Sequence, residues 1–155
     1  MIIQEVSTGG RIPIQIRLVE ESDYKRITKK RYSFNWRLEK DNIVYKLTIK
    51  GEADILGLIS VKYVDIEERL EIKLLAVAEE NIGSGKQYDL IAGNLIAFSA
   101  RLAIKRFGAM AAISLIPKTV IGQHYMDRYG FEQAGRSLFM EGKNLQNLLK
   151  EYKYD

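Results

Sequence analysis

Between Leu70 and Pro117 the chain reads as an apolar strand, a long helix and a second apolar strand. This order constrains the fold more than any other feature. "LEIKLLAV" (70–77) and "AAISLIP" (111–117) are short apolar runs of the kind a central strand requires. Counting back from Gly108, Ile91, Leu95, Phe98, Leu102 and Ala103 make one apolar stripe, with Arg101, Lys105 and Arg106 outside it. Gly108 is a natural helix stop, and the basic residues before it suit the negative end of a helix dipole. A helix joining two such strands acts as a crossover, so the strands can lie side by side, parallel and right-handed in connection.

The flanking segments complete a mixed α/β pattern. "PIQIRLV" (13–19) alternates as a strand does, and "EESDYKRITKKR" (20–31) reads as a short helix with Tyr24, Ile27 and Thr28 on one face. "YSFNWRLEK" (32–40) and "NIVYKLTIK" (42–50) alternate again, and "KGEADIL" (50–56) carries turn residues. "LGLISVKYVDI" (56–66) and "LEIKLLAVA" (70–78), joined by a charged turn, read as consecutive antiparallel strands. After the second apolar strand, Thr119 is placed to cap a helix "VIGQHYMDRY" (120–129) that Gly130 ends. "FEQAG" and "SLFMEG" form a closing strand pair, and "NLQNLLKEY" a terminal helix. The expectation is one domain over residues 1–155, with a mostly antiparallel sheet and one parallel pair.

Composition narrows the chemistry. The absence of cysteine excludes a disulfide scaffold, thiolate catalysis and any zinc site that needs cysteine; the single histidine, His124, excludes a His-rich metal site. Neither a signal peptide nor an apolar run of membrane-spanning length is evident, so a cytoplasmic protein without a membrane partner is expected. The formal net charge is +4 and the pI about 9.2, which suits an anionic ligand or acidic partner. Much of the excess lies in Tyr24 to Lys40, read as a solvated helix face followed by an edge strand. This density argues against a dedicated nucleic-acid partner and for weak, salt-sensitive affinity toward polyanions.

From Leu56 to Glu141 the chain resembles the GNAT superfamily of N-acetyltransferases. The resemblance rests on "LEIKLLAV", a glycine-containing turn, a long helix ending in "RFG", the strand "AAISLIP" and the helix ending "HYMDRYGFE". It implies a GNAT-like acyl-CoA N-acyltransferase fold and acetyl transfer from acetyl-CoA to an amine of a small molecule or protein. It implies a split between the two parallel strands, with the pantetheine arm bonded along Leu75, Ala76 and Val77 like an added strand. The pyrophosphate would meet the N-terminus of the following helix. No metal is implied, and a homodimer is left open.

Two registers fit the phosphate turn, whose family pattern is Gln or Arg, two residues, Gly, one residue, then Gly or Ala. "ENIGSG" supplies Gly83 and Gly85 but puts Glu80 in the first position. "QYDLIA" supplies Gln87 and Ala92 but puts Leu90 in the first glycine position. The second leaves a helix of about 16 residues, about 24 Å long, and is preferred on that length. Its cofactor contacts would be Lys86, Gln87, Leu90, Ala92, Gly93 and Asn94. Lys118 sits near a position where the family often has an asparagine that contacts the cofactor.

The resemblance also names candidate catalytic residues. Glu71 stands where some members carry a general base, and a carboxylate on an apolar sheet would have a raised pKa suited to that task. Tyr125 resembles the helix tyrosine that protonates the leaving thiolate, although it lies five residues before Gly130 where four is usual, at Met126. His124 reads as a helix-surface or capping residue, and Tyr129 and Phe131 as core. The alternative is a non-catalytic binding module of the same fold, with a degraded phosphate turn, that recognises a protein or RNA through the basic Tyr24 to Lys40 face; Leu90 and Glu80 favour it.

Overall fold

The computed structural model describes residues 1–117 and 122–153. Nine strands are found among them: β1 (Ile2–Glu5), β2 (Arg11–Leu18), β3 (Ile43–Ile49), β4 (Ile55–Val64), β5 (Arg69–Val77), β6 (Tyr88–Asp89), β7 (Ala112–Leu115), β8 (Glu132–Ala134) and β9 (Ser137–Glu141). The α-helices are α1 (Lys29–Tyr32), α2 (Ile91–Phe107), α3 (Gly122–Tyr129) and α4 (Gly142–Glu151). The expected crossover is present: β5 and β7 pair in parallel, from Arg69 opposite Ala112 to Ile72 opposite Leu115. The other described registers are antiparallel. Thr119 and Lys118 lie outside the described residues.

Packing groups the chain into two units, Met1–Ser60 with Leu74–Leu95, and Val61–Lys73 with Ile96–Asp155. The strands of the first run in the order β6-β1-β2-β3-β4-β5, and those of the second β4-β5-β7-β9-β8.

In the first unit, Trp36 and Tyr32 are the largest fully buried side chains, packed in a cluster with Tyr24, Val44, Ile55, Leu58 and Ala76. Their polar atoms are satisfied inside it: the Tyr32 hydroxyl donates to the Ile55 carbonyl at 2.7 Å, and Trp36 Nε1 donates to the Tyr32 carbonyl at 3.1 Å. This spacing of four residues, not the alternation of "YSFNWRLEK", governs the segment. It therefore forms a turn through Ser33 and Phe34, both at positive φ, and a 3-10 turn at Trp36–Glu39, where a strand was expected.

The expected helix over 20–31 is also divided. A 3-10 turn, Glu21–Arg26, is closed by the Glu20 N–H donating to Asp23 at 2.8 Å. The four-residue α1 then starts afresh at Thr28, whose hydroxyl accepts from the Arg31 N–H. Asp23 is buried and forms an ion pair with the buried Lys46 of β3 at 2.6 Å.

In the second unit, α2 buries more than its expected stripe. Ala103 is buried as expected and Phe98 and Leu102 are half-buried, but Ile96, Ala97, Ser99 and Ala100 are enclosed as well. Small side chains at 97, 99, 100 and 103 widen the buried face beyond one row of large residues. Gly130, at φ +89°, ends α3 and lets the chain turn so that Phe131 enters the core. α4 buries Leu145 and Leu148. Its end is bound to α3 by Arg128, which donates to Glu151 and to the Tyr152 hydroxyl, and to α2 by Arg101, which donates to the Tyr152 carbonyl.

Candidate functional site

β5 outruns its parallel partner. The register with β7 ends at Ile72 opposite Leu115, and Pro117, two residues further on, has no N–H with which to extend a ladder. Leu75, Ala76 and Val77 lie beyond that register. Ala76 is buried in the cluster of Tyr24, Tyr32 and Trp36, while Leu75 and Val77 are half-buried at alternate positions. The Ala78 N–H donates to the Leu56 carbonyl at 2.9 Å, which fixes the end of the strand on β4.

After a 3-10 turn at Glu79–Asn81 the chain reaches the two candidate turns, and α2 starts where the second of them places a helix. α2 begins at Ile91, with the Asn94 N–H donating to the Leu90 carbonyl as its first α-helical bond. Leu90, in the slot the resemblance assigns to glycine, has φ +78°, a left-handed conformation that L residues other than Asn and Asp rarely adopt. The turn before α2 is thus made with a Cβ in place. Ile91, Ala92 and Gly93 come before that first bond, so their N–H groups have no acceptor within the helix. Ala92 is half-buried and Gly93 is buried without a side chain. Glu80 is elsewhere: it accepts from Arg31, which also donates to Asp54.

The donors just before the helix are committed internally. The Asn81 Oδ1 accepts from the Gln87 N–H at 3.1 Å and the Tyr88 N–H at 2.9 Å, and the Asp89 carboxylate accepts from the Leu90 N–H at 2.8 Å. Lys86 forms an ion pair with Asp89 at 3.1 Å. The Gln87 side chain is exposed and donates to the Tyr88 hydroxyl. Asn94 is buried, and its Nδ2 donates to the carbonyls of Leu90 and Ile2, at 2.7 and 2.8 Å. Of the residues expected to meet a cofactor here, Asn94 therefore serves the backbone of the turn. Ala92 and Gly93 have N–H groups ahead of the first helical bond, and Lys86 has an ammonium paired with Asp89.

Glu71 and Tyr125 belong to the second unit. Glu71 stands opposite Ser114 in the β5–β7 register and is mostly buried. Burial raises its pKa, but hydrogen bonds and charge from Lys73 and Arg69 outweigh it and hold the carboxyl below its ordinary value. The expected raised pKa is not found. Arg69 and Lys73 are two residues to either side on the same strand, hence on the same face, at 3.0 and 2.8 Å from its oxygens. Arg69 also donates to the Ser114 hydroxyl.

Tyr125 is half-buried on α3, within a ring cluster of His124, Tyr129 and Phe131 whose centroids stand 6.0 to 6.3 Å from its own. Burial pushes its phenol up, so it is protonated throughout the neutral range. Phe131 is core, as expected; His124 is exposed and Tyr129 half-buried.

Gly57 of β4 was not singled out from the sequence. A Cβ there would stand 2.8 Å from Ile91, 2.9 Å from Leu95 and 3.3 Å from the Ala76 carbonyl. The missing side chain lets the first turn of α2 settle directly on β4, beside the end of β5. A glycine inside an apolar strand was the available signal. Among the described residues, no three His, Asp or Glu side chains converge as a metal site requires.

No family model matches the chain, and no curated protein matches it in sequence. Solved structures do match in fold. Spermidine N-acetyltransferase SpeG from Vibrio cholerae is 14% identical, over 86% of this chain and 96% of that one, with a TM-score of 0.60. The AtaTR complex bound with acetyl-CoA is 14% identical, over 88% and 98%, with a TM-score of 0.62. Nourseothricin acetyltransferase is 16% identical, over 82% and 96%, with a TM-score of 0.56. The chain has the fold of the GNAT-type acetyltransferases.

Proposed function

We propose that the protein transfers an acetyl group from acetyl-CoA to an amine. One observation carries the reading: a left-handed residue, Leu90, sets the start of α2 so that three N–H groups without helical acceptors follow a strand, β5, that outruns its parallel neighbour. Such a helix start takes a phosphate through its N–H groups and its dipole. The residues present fit a pyrophosphate: Ile91, Ala92 and Gly93 carry N–H groups ahead of the first helical bond, Gly93 adds no side chain, and Lys86 supplies a positive charge once it turns from Asp89. Leu75, Ala76 and Val77 supply strand backbone for the pantetheine arm. The fold shared with acetyltransferases of known substrates supports the same reading.

Acetyl-CoA supplies an activated thioester carbonyl. During transfer the amine nitrogen bonds to that carbonyl carbon, the carbon–sulfur bond breaks, the amine loses a proton and the thiolate gains one. Tyr125, protonated in the neutral range, is the proton donor. Glu71, held ionised by Lys73 and Arg69, is a weak general base that takes the amine proton through water and passes it to solvent, from which the Tyr125 phenol is reprotonated. The acceptor is the amine of a small molecule or a protein. The non-catalytic reading loses one of its two supports, because Glu80 has no place in the phosphate turn.

Release of free thiol from acetyl-CoA, followed with polyamines, aminoglycosides and lysine peptides as acceptors, tests the proposal. Acceptor-dependent release that yields an acetylated amine is expected. No release with any of them, from a protein that binds acetyl-CoA, would contradict it.

A further inference from the structure

Leu90 has no intrinsic reason to stay left-handed, so its surroundings must impose that conformation. Asn81 and Asp89 hold the turn from within, and the N-terminal strand of the chain holds it from outside. β6, just before Leu90, pairs with β1, placing Tyr88 opposite Glu5 and Asp89 opposite Gln4. The Val6 N–H extends this pairing by donating to the Gln87 carbonyl at 2.9 Å. Just after Leu90, Asn94 ties the Leu90 carbonyl to the carbonyl of Ile2 on the same β1. β1 is itself fixed by its pairing with β2 and by Ile3, which is fully buried. The strand therefore grips the phosphate turn on both sides of its strained residue.

We propose that β1 is the template that holds the phosphate turn in its binding shape, with Asn94 and the Val6 N–H as positioning groups for the pyrophosphate of acetyl-CoA. This rests on the function proposed above. Neither group needs to touch the ligand. Each acts by keeping the Ile91, Ala92 and Gly93 N–H groups aimed at one point. The effect is accordingly specific to donors that carry a pyrophosphate.

Val6→Pro deletes one N–H at a half-exposed side chain, whereas Val6→Ala keeps the N–H and alters only the side chain. Asn94→Ala removes the second tie. The dissociation constant for acetyl-CoA would be measured by calorimetry. kcat/KM would be measured with acetyl-CoA and with S-acetylpantetheine, which has the same thioester and arm but no pyrophosphate. Val6→Pro and Asn94→Ala are each expected to weaken acetyl-CoA binding by about tenfold. Val6→Ala is expected to bind as wild type does, and all three variants are expected to use S-acetylpantetheine within about twofold of wild type. If Asn94→Ala does not fold, Val6→Pro alone decides. Unchanged acetyl-CoA affinity in Val6→Pro, or equal losses with both donors, overturns the template. Wild-type protein that binds no acetyl-CoA overturns the function on which it rests.

Discussion

Gly57 of β4 and Ile91 of α2 meet so closely that a Cβ on the glycine would lie 2.8 Å from the isoleucine Cγ2. A second contact, at 2.9 Å to Leu95, closes the other side of the same space, and both neighbours are buried. Gly57→Ala must therefore displace the first turn of α2 from the sheet. The expected cost is about 1–3 kcal/mol of stability, as for other overpacked cores, together with weaker acetyl-CoA binding. Denaturant unfolding and calorimetry check the two parts. An alanine variant as stable as wild type would show that the helix does not rest on Gly57.

Leu90→Gly is expected to act in the opposite direction on binding. Glycine takes φ +78° without strain, and Leu90 is only half-buried, so little packing is lost. Relief of roughly 1–2 kcal/mol of left-handed strain offsets the larger entropy of glycine in the unfolded chain. Stability should change little, and acetyl-CoA affinity should hold or rise. A large loss of affinity would show that the leucine side chain itself contacts the ligand.

Much of this turn was legible in the sequence, and the reason is local. The length of helix before Gly108 places the start of α2, and the resemblance puts Leu90 in a glycine slot, where its φ is +78°. The supports of the turn were not legible. β1 has four residues and β6 two, too few for alternation to show, and their pairing joins positions more than eighty residues apart. "YSFNWRLEK" misled because Tyr32, Phe34 and Trp36 alternate like a strand, while burial of Tyr32 and Trp36 four residues apart decided the structure. The pKa direction of Glu71 could have been read from "RLEIK", where Arg69 and Lys73 share its face.

Glu71 gives a pH prediction of definite sign. Its pKa is lower in the folded chain than its ordinary value of 4.5, so its ion pairs stabilise the fold above that pH. The contribution is lost as pH falls through the lower folded value. The stability difference between wild type and Glu71→Gln should be constant near neutrality and shrink below about pH 4.5. Urea unfolding across pH 3 to 7 would show it. Glu71→Gln should also leave acetyl-CoA affinity intact and slow transfer, and the wild-type rate profile should show no glutamate ionisation near pH 6 to 7.

Tyr125→Phe removes the hydroxyl and keeps the ring among His124, Tyr129 and Phe131. If this phenol protonates the leaving thiolate, kcat should fall by about 10²–10⁴-fold, with the dissociation constant for acetyl-CoA nearly unchanged. Steady-state kinetics beside calorimetry separate the two quantities. An equal loss in both would make Tyr125 a packing residue.

If the start of α2 holds the pyrophosphate of acetyl-CoA, calorimetry on wild type and Gly93→Glu will distinguish them. Gly93 is buried in the first turn, where a glutamate would place both bulk and negative charge against the N–H groups that precede the first helical bond. Wild type is expected to bind saturably and Gly93→Glu not at all, with the variant's fold verified by circular dichroism. No heat of binding by wild type at millimolar acetyl-CoA, or equal binding by a folded Gly93→Glu, would contradict it.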